Sequence, residues 1–446
     1  MTEGTQVARY RYKRVEALLC LSLVFLKLNV LYRQWGKPTG YDWFNWLPVL
    51  HYTRWFETLP STRSVGISYH PPLAYLLARL IHYAYPHEVE ASQILSTLAT
   101  LAAFFALRAW IRRVGWLYTL PGFWLLYGGM SIPLLVYLAV ETSYDALVVT
   151  WFTMILAASM ALFWNGTRPR WWTDFKFSAG LTGLGILFAC AMMTKVNGLF
   201  SFALPFIIIL VRRGQRGLRR EFRAPLVAAA IGLTIIGPFY YHHYYKTEGH
   251  WIVMDVEWLR KQDLDIQRAR RDRAPVYFVR RMLMWPIYKN PDPQTADWQS
   301  FPHLVWTETW IKDSWLGKQP EPSLSVSVGY AKTFAWILPA GTAFFLLRRR
   351  RIPRDWRDVG WVLLSVAVMF SLALLYFGYK YPLWDWRVFK AKYLSPAIFW
   401  IPYATGVLFS EKWFRNPKCR VFRWMEQASF LTLVAFMFVN HLLPVY

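Results

Sequence analysis

The chain has 446 residues, with 51 Lys+Arg against 26 Asp+Glu, so it carries a formal net charge of +25 although 55% of it is hydrophobic and 19% aromatic. A soluble basic protein exchanges apolar content for charge, whereas a mean hydropathy of +0.21 with only 17% charged residues requires apolar runs separated by basic loops. That combination excludes a soluble globule and predicts an all-α polytopic membrane protein.

The first predicted span covers 16–32, behind Arg9, Arg11, Lys13 and Arg14. It has the layout of a signal peptide, but Lys27-Leu28-Asn29-Val30-Leu31-Tyr32-Arg33 stands where a small-residue cleavage site belongs, so it reads as an uncleaved helix. A span needs about 20 apolar residues, because about 30 Å of hydrocarbon is crossed at about 1.5 Å per residue. Further candidates follow at 92–111, 116–138, 144–164, 178–194, 196–211, 224–242, 329–347, 359–378, 393–409 and 426–444, which makes about 11 transmembrane helices. With that count every basic loop falls on one face: the N-terminus, Arg112-Arg113, 168–176, 212–223, 348–357 and 412–423. The positive-inside rule then makes the N-terminus cytoplasmic. The sequon Asn165-Gly166-Thr167 also faces the cytoplasm and is expected to be unused.

Two long extracytoplasmic loops remain, at 33–91 and 243–328, and chemistry is expected there. The predicted organisation is therefore a membrane module over 1–242 that includes the first loop, the loop 243–328, and C-terminal helices over 329–446. The second loop holds Arg268, Arg270, Arg271, Arg273, Arg280 and Arg281, which suit either an anionic partner or the phosphates of membrane lipids. Nucleic acid is not an expected partner, since orientation already accounts for the cytoplasmic basic loops. Cys20, Cys190 and Cys419 are scattered and suggest neither a disulfide framework nor a metal cluster.

In the first loop, Trp43, Trp46, Leu47, Leu50 and Trp55 make an apolar stripe at helical spacing, which predicts a short helix lying in the interface. Asp42 stands at its start, either as an N-cap or as a carboxylate desolvated among rings that could act as a base. His70-Pro71-Pro72 opens a second short helix, and His70 either packs beside the prolines or serves as a proton carrier or phosphate donor. Glu141 and Asp145, four apart, are either interfacial loop acids or a pair on one helical face, where like-charge repulsion raises one pKa unless a cation or donor lies between them. Lys195 and Asn197 occupy a tight turn between two apolar runs. A lysine at that depth marks a site for an anion unless it snorkels from a helix end. Arg387, Lys390 and Lys392 precede a late span on the face where the charge rule disfavours cations, and they call for a local anion.

Taken in order, Gly40-Tyr41-Asp42, Leu59-Pro60 with Tyr69-His70-Pro71-Pro72-Leu73, Thr194-Lys195 with Gly198, and Lys392-Tyr393-Leu394-Ser395-Pro396 resemble the GT-C superfamily of polyprenyl-phosphate-sugar-dependent glycosyltransferases. The nearest branch is that of the protein O-mannosyltransferases and lipid A aminoarabinose transferases. The resemblance implies a GT-C-like fold with interfacial helices in its outer loops. It also implies an undecaprenyl- or dolichyl-phosphate-linked sugar as donor, and a lipid, glycan or protein acceptor. Asp42 would be the base of an inverting displacement, and Lys195 and Lys392 would contact the donor phosphate, with Lys390, Arg387 and His70 as further phosphate candidates. The implied location is the bacterial plasma membrane, or the endoplasmic reticulum in a eukaryote. Two departures bear on roles. Many members carry two adjacent acids where Asp42-Trp43 stands, so Glu57, Glu141 or Asp145 is needed if a second acid takes part. Lys392 replaces a common arginine and lacks its bidentate fork. No His/Cys ligand spacing is present, so no cofactor is expected and a divalent metal is not favoured. A lipid-linked-sugar flippase and a lipid-linked glycan ligase are the competing readings. The loop 243–328 is expected to recognise the acceptor, with Trp306, Trp310 and Trp315 packed over the cavity.

Overall fold

The computed structural model describes residues 3–39, 43–53, 71–164, 174–213, 218–249, 251, 305–306, 309–310, 323–380, 397–410 and 420–442. Its helices, in chain order, are α1 (Glu3–Gln34), α2 (Trp43–Tyr52), α3 (Leu73–Ala84), α4 (Glu88–Arg113), α5 (Leu120–Phe123), α6 (Pro133–Leu138), α7 (Asp145–Phe163), α8 (Phe175–Thr194), α9 (Ala203–Arg213), α10 (Leu218–Tyr240), α11 (Lys246–Glu248), α12 (Ser323–Arg348), α13 (Arg354–Lys380), α14 (Trp400–Leu408) and α15 (Arg420–Leu442). Among the described residues there is no strand. Among the described residues seven helices, lying in α1, α4, α7, α8, α10, α12 and α13, are long and apolar enough to cross a membrane, and the chain is an all-α polytopic membrane protein.

Four of the eleven expected spans take another form. Segment 116–138 is interrupted: Thr119 caps α5, a wide π turn runs from Trp124 to Gly128, and the chain breaks before α6 at Pro133, whose missing N–H cannot continue a helix. Segment 196–211 begins with a tight 3-10 stretch, Val196–Phe202, and the described part of 393–409 begins with another, Ala397–Phe399, each followed by a shortened α-helix. The α15 helix has 23 residues, but Glu426, Gln427, Asn440 and His441 make it more polar than the seven. The two short helices expected in the first loop are present: α2 buries Trp46, Val49 and Leu50, and α3 starts directly after Pro71-Pro72.

The chain forms two compact units. The first comprises Met1–Arg33, Ile111–Tyr137 and Asp265–Tyr446; the second comprises Gln34–Trp110 and Leu138–Leu264. In the first unit, α1 buries Leu19, Leu23, Leu26, Lys27 and Val30, and α15 buries Ser429, Leu433, Phe436, Met437, Asn440 and His441, both at three- and four-residue spacing. Trp124 donates to Ser429 (2.9 Å), and the Tyr127 hydroxyl lies 3.0 Å from a carboxylate oxygen of the buried Glu16. Trp306 and Trp310, expected over a cavity, are instead buried in this unit's aromatic core. Trp306 donates to the Ala331 carbonyl (2.8 Å), and Trp310 stacks on Phe334 at 4.6 Å. Trp315 lies outside the described residues, as do Glu57, the sequon and the arginines of 268–281.

In the second unit, α8 and α10 cross at their backbones. A Cβ on Gly185 would stand 2.8 Å from the Ala228 carbonyl oxygen, and one on Gly232 would stand 2.9 Å from that of Gly185. Small residues at such crossings let two membrane helices gain close packing where lipid gives no hydrophobic drive. The crossing holds the Thr194 end of α8 in place, with the Tyr240 hydroxyl donating to the Met192 carbonyl at 2.9 Å.

Candidate active site

The site is built around the end of α8. That helix stops at Thr194, whose hydroxyl donates back to the Cys190 carbonyl (2.8 Å) and accepts the indole N–H of Trp151 on α7 (2.8 Å). Lys195 follows with an extended backbone, and the Gly198 N–H donates to its carbonyl at 2.8 Å, which closes the expected turn. Glycine is needed there: a Cβ on Gly198 would come within 2.7 Å of the Met192 nitrogen and closer still to the Ala191 carbonyl.

This turn directs Lys195 inward. Its Nζ donates to Oδ1 of Asp145 at 3.0 Å and sits 4.3 Å from the centroid of the Tyr144 ring, and the two charged side chains are only 7% and 4% exposed. A buried lysine is tolerated because a carboxylate and the electron-rich face of a ring surround it. Asp145 is placed by the start of α7, where its own N–H donates to the Ser143 hydroxyl at 3.2 Å.

Glu141 does not share a helical face with Asp145. The α6 helix ends at Leu138, and residues 139–144 form a non-helical segment in which the Glu141 carbonyl accepts the Ser96 hydroxyl at 2.6 Å. The Ser143 hydroxyl takes the Asp145 N–H, a local bond that competes with a helix running through. Glu141 is nonetheless fully buried beside them.

Three bonds tie this segment to the chain that leads to Asp42. The Thr39 hydroxyl donates to the Val140 carbonyl (2.5 Å), the Thr142 N–H donates to the Thr39 carbonyl (2.8 Å), and the Thr39 N–H donates to the Thr142 hydroxyl (3.3 Å). A residue three positions before Asp42 is thereby fixed against one three positions before Asp145. On the other side of Asp42, Trp46 of α2 is fully buried, stacks on Tyr75 at 4.3 Å, donates to the Ser92 hydroxyl at 2.9 Å, and lies 5.9 Å from the Tyr144 ring. Trp46, Tyr144, Lys195 and Asp145 thus form one continuous buried contact series.

A polar stripe on α4 supports the site, and sequence reasoning missed it. Ser92, Gln93, Ser96, Thr97 and Thr100 are all buried. The Gln93 amide donates to the carbonyls of Gln34 (2.9 Å) and Lys37 (2.7 Å) and accepts the N–H of Gly36, whose φ of 72° is in the left-handed region. Thr97 donates to the Ala139 carbonyl at 2.7 Å. The signal was polar side chains recurring every three or four residues in an otherwise apolar span.

On α3 and α4, Glu88 faces His51 (3.0 Å) and Arg79 (4.0 Å), while burial and then the nearby Arg79 guanidinium hold the His82 imidazole below its usual range. Of the predicted site residues, the structure brings Asp145 and Lys195 together and places Glu141 in the adjoining segment. Asp42, His70, Arg387, Lys390 and Lys392 lie outside the described residues. Among the described residues no group of three His, Cys, Asp or Glu side chains could hold a metal ion.

No family profile and no curated protein matches the chain. Among solved structures it is similar to ArnT from Cupriavidus metallidurans in the apo state, at 14% identity over 91% of this chain and 78% of that one, with a TM-score of 0.40. It is likewise similar to the same protein bound to undecaprenyl phosphate, at 13% identity, the same coverage and a TM-score of 0.42.

Proposed function

We propose that the chain is a membrane glycosyltransferase of the GT-C type that moves one sugar from a polyprenyl-phosphate donor to an acceptor hydroxyl, with inversion. Asp42 takes the proton of that hydroxyl, whose oxygen attacks the anomeric carbon while the bond from that carbon to the phosphate oxygen breaks. The leaving lipid phosphate gains negative charge, and Lys195 is the cation that meets it. Lys392, Lys390, Arg387 and His70 are assigned to the same phosphate, and the loop 243–328 to the acceptor.

The observation that carries this reading is the Thr39 strap. It holds the approach to Asp42 against the segment of Glu141 and Asp145, where a buried lysine is already held in position. An ammonium has three donor hydrogens. One serves Asp145, so the group can meet a phosphate oxygen without leaving its carboxylate. Asp145 is therefore a positioning residue for Lys195, and Glu141 is assigned as the acid that assists Asp42.

The test is transfer of radiolabelled sugar from synthetic polyprenyl-phosphate donors by the purified protein in detergent. Wild type is expected to transfer, and Asp42→Asn to lose about a hundredfold or more while still binding donor. Equal rates in both would remove Asp42 from the mechanism. Absence of transfer with every donor, combined with donor-dependent movement of lipid-linked sugar in proteoliposomes, would select the flippase instead.

A further inference from the structure

Two basic turns that are far apart in sequence are fixed to one another in the first unit. The first ends α4. Gly115 takes a left-handed φ of 79°, its N–H donates to the Arg112 carbonyl (3.1 Å), and the Trp116 N–H donates to that of Ile111 (3.0 Å). This closure leaves Arg112 and Arg113 exposed and buries Trp116. The second turn, 349–353, joins α12 to α13. The Arg351 N–H donates to the Arg348 carbonyl at 2.8 Å, and the turn is pinned by Ile352 and Trp356, both buried. The four arginines at 348–351 are exposed, as is Arg354. Phe345 of α12 meets Trp361 of α13 edge to face at 5.4 Å, so the two helices are packed close to their turn. Trp116 stacks on Trp356 with ring centroids 4.6 Å apart. The stack joins the two turns three residues after Arg113 and two after Arg354.

Charge at these turns is one-sided. Residues 348–358 hold six arginines against Asp355 and Asp358, and the end of α4 adds Arg112 and Arg113. Asp358 is engaged by Arg354 (3.8 Å) and Arg357 (3.7 Å). Among the described residues no carboxylate pairs with Arg112, Arg113 or the arginines at 348–351. Membrane orientation asks only for Lys or Arg in a loop of any conformation. It does not ask that two such loops be locked together on stacked rings, or that every cation in them be an arginine, whose planar fork suits phosphate oxygens.

The helices α4, α12 and α13 are each long and apolar enough to cross a membrane, so turns at their ends lie at headgroup depth. We propose that the turns joined by Trp116 and Trp356 bind one anionic lipid that carries two phosphates. Arg112 and Arg113 hold one phosphate, and the arginines of the α12–α13 turn hold the other. The charge bias of the sequence assigns this lipid to the cytoplasmic leaflet. Once one phosphate is held, the second contact is intramolecular, so such a lipid binds more tightly than one with a single phosphate. A soluble diphosphate offers the same charges without acyl chains, and the test separates the two.

The full-length protein in an uncharged detergent is titrated with cardiolipin, phosphatidylglycerol or phosphatidylcholine, and bound lipid is counted by native mass spectrometry. One cardiolipin is expected to bind saturably, about tenfold or more tighter than phosphatidylglycerol, and phosphatidylcholine is not expected to be retained. Arg112→Gln/Arg113→Gln is expected to lose that preference, and Arg349→Gln/Arg350→Gln to lose it equally, because each removes one phosphate contact. Lys176→Gln/Arg223→Gln, which removes two exposed cations elsewhere, is expected to keep it. All three variants alter exposed side chains only. Equal affinity for the two anionic lipids in wild type, or the same loss in the Lys176 and Arg223 variant, would overturn the proposal in favour of diffuse charge. Loss in only one of the two arginine variants would overturn it as well, since the turns would then act apart. Inorganic pyrophosphate at constant ionic strength is expected not to displace cardiolipin; displacement at equal concentration would give the site to a soluble anion instead. No outcome touches the transferase reading, which uses other residues.

Discussion

Lys195 and Lys27 are both buried lysines in apolar helical surroundings, and the protein treats them differently. Lys195 stands at a helix end, bonded to Asp145 and lying over Tyr144. Lys27 stands in the middle of a helix, with no hydrogen-bond partner among the described residues. A helix end supplies turns and backbone groups that can redirect a side chain toward a partner, whereas mid-helix geometry fixes the side chain against the neighbouring helix. The first lysine is therefore completed by its own unit. The second has no such partner among the described residues.

The largest expected effect follows from breaking the completed pair. Asp145→Ala strands a buried ammonium, and removing one partner of such a pair costs about 3–5 kcal/mol. The thermal midpoint should fall markedly, and transfer should be lost with it. Asp145→Ala combined with Lys195→Met should recover most of the stability and none of the transfer. Recovery of both would show that the pair is structural and that Lys195 does not meet the phosphate.

A smaller loss is expected from the turn that aims Lys195. Gly198→Ala places a methyl against the Ala191 carbonyl and the Met192 nitrogen, and relieving such a backbone clash costs about 1–3 kcal/mol. If the turn matters chiefly for aim, the KM for donor should rise more than kcat falls, and Gly198→Ser should behave as Gly198→Ala does. Unchanged donor affinity would separate the turn from the site.

How much of this was legible in the sequence depends on how local the cause is. The turn at Lys195 and Gly198, the helix start after Pro71-Pro72 and the position of α2 all follow from residues within a few places of each other, and each was anticipated. The Glu141 to Asp145 segment is not helical as its spacing predicts, because periodicity ignores the Ser143 hydroxyl that takes the Asp145 N–H and the strap from Thr39 to Thr142. The Thr39 strap joins residues about a hundred positions apart, and nothing local announces it. The Gln93 bonds to the carbonyls of Gln34 and Lys37 are equally distant from any motif. Their trace in the sequence was the polar stripe of α4, which hydropathy averaging over a span conceals. Lys27 was visible as a charge inside the first span, but its lack of a hydrogen-bond partner among the described residues depends on how distant segments pack around it.

Replacing Lys27 gives the smallest expected effect and the one with opposite sign. Lys27→Met removes a buried amine that has no hydrogen-bond partner among the described residues and retains the volume. Exchanges of this kind are neutral or stabilising, here by about 1 kcal/mol. The variant should therefore melt slightly above wild type, whereas Lys195→Met, which strands Asp145, should melt well below it. If Lys27→Met is instead destabilised as severely as Lys195→Met, then Lys27 is completed within the unit as Lys195 is, and the two lysines represent one solution.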